Sequence, residues 1–163
     1  MKRIIIHWTG GANRPCGEDL AHYHYVIDKD GQVFPGKYKP EDNENCKDGR
    51  YAAHTGGGNT GSIGVSMCGM YVPAGENIKN TKYPLTKKQC ERCFKLIAEL
   101  CKKYSIVLSR ETVLTHYEFG LKYPQSSSGG KIDIIWLPPY PDVTPAEMGD
   151  FIRNKALWYF PRV

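Results

Sequence analysis

Short β-forming runs alternate along this chain with only two stretches long and periodic enough to be full helices. That interleaving limits the fold to one main sheet with helices packed on it. Residues 3–8 (Arg-Ile-Ile-Ile-His-Trp) read as a short buried strand that ends in polar side chains. Residues 23–28 and 32–34 are β-formers on either side of Lys29-Asp30-Gly31, and Asp-Gly between such runs signals a hairpin. Ser62–Met67 reads as a central strand, and Val113–Thr115 as a short one that delivers His116. Thr86-x-x-Gln89 is a capping box and opens a helix over 86–104. A last helix opens at Thr144-Pro145, with a cap residue, a proline at the first helical position and Glu147 in the first turn. Residues 9–19, 37–50, 71–84 and 120–130 read as loops, and Lys131–Trp136 as extended. No repeat or linker divides the chain. The expectation is an α/β protein with a central mixed sheet flanked by helices, one domain over residues 1–163.

A chain of 163 residues can bury about two thirds of its unfolded surface, so a core forms without covalent staples. Apolar residues make up 40% and charged residues 24%, which excludes global disorder. No apolar run approaches the roughly 20 residues that span a bilayer. Met1-Lys2-Arg3 is followed by only three apolar residues before His7, too few for a signal peptide, so synthesis in the cytoplasm without export is expected. The net charge is +5, from 22 Lys+Arg against 17 Asp+Glu, without a basic block. It permits a polyanionic partner and is the only feature favouring nucleic acid, which is not expected as a partner.

Six cysteines stand at 16, 46, 68, 90, 93 and 101. Cys90-x-x-Cys93 has the spacing of half a zinc knuckle or a redox pair. Yet Cys90, Cys93, Phe94, Ile97, Cys101 and Tyr104 share one helical face, and buried cysteine behaves as a small hydrophobe. Free thiols and a core role are expected.

The chemistry-bearing residues are few. Of five histidines, His7 and His116 sit at strand ends. In Lys131-Ile132-Asp133, an extended backbone would project Lys131 and Asp133 together and turn Ile132 to the core. Two histidines and a carboxylate make a catalytic zinc set with one open position. From spacing alone, strand-end histidines are more often satisfied structural residues than ligands. No His-Glu-x-x-His motif and no structural-zinc cysteine pattern is present. The glycine-rich 56–61 segment lacks the phosphate-loop pattern and leads into a strand, so it reads as a tight turn, with His54 before it facing a groove or capping the loop.

The order of these pieces is more specific than any one of them. Ile-Ile-Ile-His7-Trp-Thr, Tyr23-His24-Tyr25-Val-Ile, Ala53-His54-Thr-Gly-Gly-Gly-Asn59, Ser62-Ile-Gly-Val65, Thr115-His116-Tyr-Glu118 and Lys131-Ile-Asp133 follow one another in the chain. This series resembles the zinc-dependent N-acetylmuramoyl-L-alanine amidases, the type 2 family that includes phage lysozymes of amidase type, muropeptide-recycling enzymes and peptidoglycan recognition proteins. The resemblance runs from residue 3 to about 137. It implies that fold, one zinc per chain held by His7, His116 and Asp133, and hydrolysis of the amide between N-acetylmuramic acid and L-alanine. It also implies catalytic roles for Tyr23 and Lys131, a substrate contact for His54, and a peptidoglycan or muropeptide substrate. A monomer that does not insert into membranes is expected. Ser66 stands where recycling members often carry glutamate, which favours a phage or prophage endolysin acting on the wall after release. A recycling amidase and a non-catalytic wall-binding module are the alternatives. Glu118 is expected either to support His116 or to be solvated. The interval from His7 to Tyr23 is short for the family, so the helix usually found there is expected to be lost or shortened.

Overall fold

The computed structural model describes all 163 residues. Five strands form one sheet in the order β3-β2-β4-β1-β5. They are β1 (Arg3–Trp8), β2 (Tyr25–Ile27), β3 (Val33–Pro35), β4 (Ser62–Met67) and β5 (Val113–Thr115). β1 runs parallel to β4 and β5, and β4 parallel to β2; only the β2–β3 hairpin is antiparallel. That hairpin turns at Asp30-Gly31, as the sequence implies, with Gly31 at φ 82°. The sheet is therefore mixed.

β1 lacks polar alternation because both of its faces are covered. Ile4 and Ile6 join Ile63, Val65 and Met67 in the main core. α2 (Lys87–Lys103) and α4 (Pro145–Tyr159) close that face, contributing Cys90, Cys93, Phe94, Ile97, Cys101, Met148, Ile152 and Ala156. The cysteine face of α2 is thus core. All six thiols are free of disulfides. α2 starts where its capping box predicts: Gln89 N–H donates to Thr86 Oγ1 and Thr86 N–H to Gln89 Oε1. The Gln89 amide then donates to the carbonyls of Ile27 and Cys68, pinning the helix to the sheet.

The opposite face is different. Ile5 packs there with Leu114 and with Phe119 of α3 (His116–Lys122). Residues in step with Ile5 share its face, which places His7, and through the parallel register Gly64 and Ser66, on this side. Small and polar groups at the C-terminal ends of β1, β4 and β5 leave room for a site.

Three loop expectations and one extended segment need correction. Residues 9–19 end in a helix, α1 (Gly17–His22), six residues long, so a short helix does stand between His7 and Tyr23. Residues 37–50 contain a 3-10 turn at Pro40–Glu44 that buries Asn43, because its amide serves three backbone groups. α3 continues into the 120–130 stretch as far as Lys122. Lys131–Trp136 is not extended. Ile135 N–H donates back to the Ile132 carbonyl and Ile134 adopts φ 72°, so the segment coils. Coiling reverses the expected facing: Ile132 is 48% exposed, while Ile134 is buried.

Candidate metal centre

His7 is the last-but-one residue of β1, and His116 is the first residue of α3, directly after β5. Adjacent parallel strands therefore bring the two imidazoles together, with ring centroids 4.6 Å apart. Asp133 reaches the same point from the coiled segment, whose backbone is tied down by Tyr117 N–H donating to the Asp133 carbonyl. Three atoms converge: His7 Nδ1 and His116 Nδ1 lie 3.2 Å apart, and Asp133 Oδ2 lies 2.9 Å from the first and 3.0 Å from the second. His7 is fully buried and His116 is 5% exposed.

The remaining ring nitrogens fix the tautomers. Ser128 Oγ donates to the Gly56 carbonyl, so it accepts from His116 Nε2 at 3.0 Å. His54 Nε2 lies 3.2 Å from the Ser62 carbonyl and must donate to it, which leaves His54 Nδ1 as an acceptor for His7 Nε2 at 3.1 Å. Both ligand candidates therefore carry their proton on Nε2 and turn a bare Nδ1 lone pair toward the carboxylate. An electron-rich triad of this kind calls for a cation. Tetrahedral zinc, with ligand bonds near 2.0–2.2 Å, separates its ligand atoms by about 3.3–3.6 Å. The three atoms, 2.9–3.2 Å apart, could share one such ion after a small outward shift.

Burial and charge act together here. Burial lowers the basicity of His7, against the Asp133 charge that raises it. Burial would raise the Asp133 carboxyl, but the two histidines against it, His116 and His7, prevail and hold it well below the usual carboxylate range. The carboxylate is therefore held anionic, and burial keeps His7 neutral and able to ligate.

The sequence matches the N-acetylmuramoyl-L-alanine amidase family over residues 1–133. The chain belongs to that family. No curated protein matches it in sequence. Among solved structures, a point mutant of PlyL is 20% identical and superposes with a TM-score of 0.53, covering 96% of this chain and 84% of that one. Bumblebee PGRP-SA is also 20% identical, with a TM-score of 0.50 over 82% of this chain and 78% of its own. The ectodomain complex of peptidoglycan recognition proteins LCa and LCx, bound to tracheal cytotoxin, is 18% identical at a TM-score of 0.50, covering 78% and 75%. These likenesses show the fold.

In this amidase-family chain His116 and Asp133 line an open cleft of about 470 Å³, with His7 fully buried behind them. Tyr23 and Lys131 line the same cleft. The Tyr23 ring lies 5.1 Å from that of His7. Burial first, then the Asp133 charge, pushes its phenol above the ordinary range, so it stays a neutral donor. The Ser66 hydroxyl sits close enough to favour phenolate slightly, yet it is buried without a hydrogen-bond partner. Lys131 is exposed on the rim and makes no ion pair.

His54, expected on the substrate side, lines the cleft with only 7% of its surface exposed. Both ring nitrogens are engaged within the protein, Nε2 with the Ser62 carbonyl and Nδ1 with His7 Nε2 and, at 2.7 Å, Thr55 Oγ1. Gly64 makes room for it, since any β-carbon there would overlap the His54 ring. Glu118 makes no hydrogen bond to the His116 ring but holds the helical turn that begins at His116. It accepts from Thr115 N–H and pairs with Arg153.

Four supporting residues escape the sequence reading. Ser128 lies in a Ser-Ser-Ser-Gly-Gly run that reads only as loop. Asn59 Oδ1 accepts from the backbone N–H of His54 and of Thr55 and so shapes the glycine-rich turn. His24 and Asn43 are paired and buried beneath it. A histidine following a tyrosine at the start of a strand is the one available signal for His24.

Proposed function

We propose that this chain is a zinc-dependent hydrolase that cleaves the amide between N-acetylmuramic acid and L-alanine in peptidoglycan, working as an endolysin. The observation that carries this reading is the Nδ1–Nδ1–Oδ2 triad, with both protons placed on the outer nitrogens, reached from a cleft through His116 and Asp133 in a member of the amidase family. His7, His116 and Asp133 would hold one zinc, leaving net +1 on the ion and one coordination position open. When bound, zinc supplies an acidified water and polarises a carbonyl, which are the two needs of a resonance-stabilised amide.

The chain's own groups do the rest. His54 and Ser128 hold the two imidazoles in the ligating tautomer. The Tyr23 phenol, kept protonated by burial, donates a hydrogen bond into the cleft and orients the attacking oxygen. Lys131 places a fixed cation beside the charge that develops on the scissile carbonyl oxygen. The open cleft suits a polymer, and the net charge of +5 favours approach to an anionic wall.

Zinc-loaded protein is expected to clear a suspension of intact sacculi. Hydrolysis of soluble muropeptides alone, with sacculi left turbid, would replace the endolysin reading by a recycling amidase. Binding to sacculi without hydrolysis of either substrate would leave a non-catalytic wall-binding module.

A further inference from the structure

α4 lies beyond the residues that match the amidase family, yet it sends a charged side chain to the helical turn that begins at His116. Arg153 is only 6% exposed, in a helix whose other buried residues are apolar or glycine. A buried guanidinium persists when it is paired and hydrogen-bonded, and this one makes four hydrogen bonds, three of them to carboxylates. Its Nη1 donates to the Val113 carbonyl at 2.8 Å and to Glu118 Oε1 at 2.9 Å; its Nη2 donates to Glu118 Oε2 at 2.9 Å and to Asp150 Oδ1 at 2.8 Å.

Glu118 spends its carboxylate on more than this fork. Oε1 also accepts from Thr115 N–H at 3.0 Å, while Glu118 N–H donates to Thr115 Oγ1 at 3.0 Å. This capping box encloses His116, and the next residue, Tyr117, donates its N–H to the Asp133 carbonyl at 3.2 Å. One helical turn therefore carries one candidate ligand and anchors the backbone of another. Gly149 completes the arrangement from α4, because a β-carbon there would overlap the Glu118 carboxylate.

We propose that Arg153 is a positioning residue for the metal centre: through Glu118 it fixes the first turn of α3, and so sets where His116 and Asp133 meet His7. The inference rests on the zinc reading above. It assigns to the C-terminal helix a share in metal affinity, in addition to its share of the core.

The test compares zinc affinity, by competition with a chromophoric chelator, in wild type, Arg153→Lys, Arg153→Met and Gly149→Ala. Hydrogen exchange at the Tyr117 amide is followed in each metal-free protein. Arg92→Ala, which removes a surface ion pair on α2, is the control. Arg153→Lys keeps the charge but cannot make the two-pronged bond to Glu118. It is expected to weaken zinc binding by about 10-fold or more and to speed Tyr117 exchange, with Gly149→Ala doing the same and the control unchanged. Should Arg153→Met not fold, the two milder variants decide. If both fold and bind zinc within about two-fold of wild type, with Tyr117 exchange unaltered, Arg153 only stabilises the fold and the proposal is overturned. If wild type itself takes up no zinc, the metal reading fails and takes this inference with it, an outcome distinct from intact binding in the variants.

Discussion

The three convergent atoms differ in how their residues reach them, and so in what a substitution does. His7 is rooted in the sheet centre, so His7→Ala leaves β1 in place and removes one ligand. Asp133→Ala does the same from the coiled segment. Both variants are expected to fold and to lose stoichiometric zinc, measured by metal analysis after gel filtration; full retention of zinc in both would exclude this ligand set. Tyr23→Phe and Lys131→Ala should instead keep zinc and lose roughly 10²–10³ in turnover, the usual cost of one donor at a developing oxyanion. Near-wild-type rates in both would remove them from the mechanism.

A third residue-level effect comes from His24. Its imidazole donates to Asn43 and accepts from Gly64 N–H, and burial, opposed by the Asn43 hydrogen bond, holds its pKa down at about 4. The unfolded chain takes up that proton near pH 6.5, before the folded one does. Stability therefore rises with pH between about 4 and 6.5 and is lost as pH falls through that window. For this one group the loss is on the order of 2–4 kcal/mol. Burial shifts His54 and His7 the same way. Urea unfolding of metal-free protein across this range should show the decline, and His24→Gln should flatten part of it. An unchanged slope in that variant would place the effect elsewhere.

At the scale of elements, α2 gives a direct chemical test. Burial raises the Cys93 thiol to about 12 and Cys90 well above its ordinary value, while Cys16 is exposed. A thiol reagent should modify Cys16 quickly in the native protein and reach the α2 cysteines only on unfolding, where all six should titrate. Four or fewer free thiols in fresh, unoxidised protein would contradict the unbridged core. The same helix shows what a sequence makes legible. Its capping box and apolar stripe are local signals, and α2, α4, β1, β4 and the Asp30-Gly31 hairpin all follow such signals to within a residue or two. α1 gives no such signal, because six residues with exposed acids at the start carry no apolar stripe and depend on neighbours for their place. The Lys131–Asp133 pair is visible in the sequence, but its facing is not. The alternation rule assumes an extended backbone, and the turn bond to Ile132 removes it. His7 and His116 stand out as strand-end histidines, whereas Asp133 joins them in the sequence only through the resemblance to the amidase family. Ser128, Asn43 and Arg153 do not stand out, since a serine run, an asparagine in a charged loop and an arginine on an amphipathic helix all read as solvated surface. Their burial is decided by tertiary partners that no local pattern names.

At the scale of the whole molecule, the sheet divides two tasks. One face is filled by α2 and α4 and supplies stability; the other is kept small and polar at the ends of β1, β4 and β5, where the triad and cleft stand. No helix is long and apolar enough to cross a membrane. The central claim is that this cleft hydrolyses the muramoyl–L-alanine amide and needs zinc for it. The direct measurement is end-group analysis of sacculi digested with the chelator-treated protein before and after one equivalent of zinc is restored. New L-alanine amino termini, no new reducing sugar ends, and both activity and its loss tracking the metal are expected. New reducing ends, or amide cleavage that persists at full rate without zinc and in Asp133→Ala, would contradict the central claim.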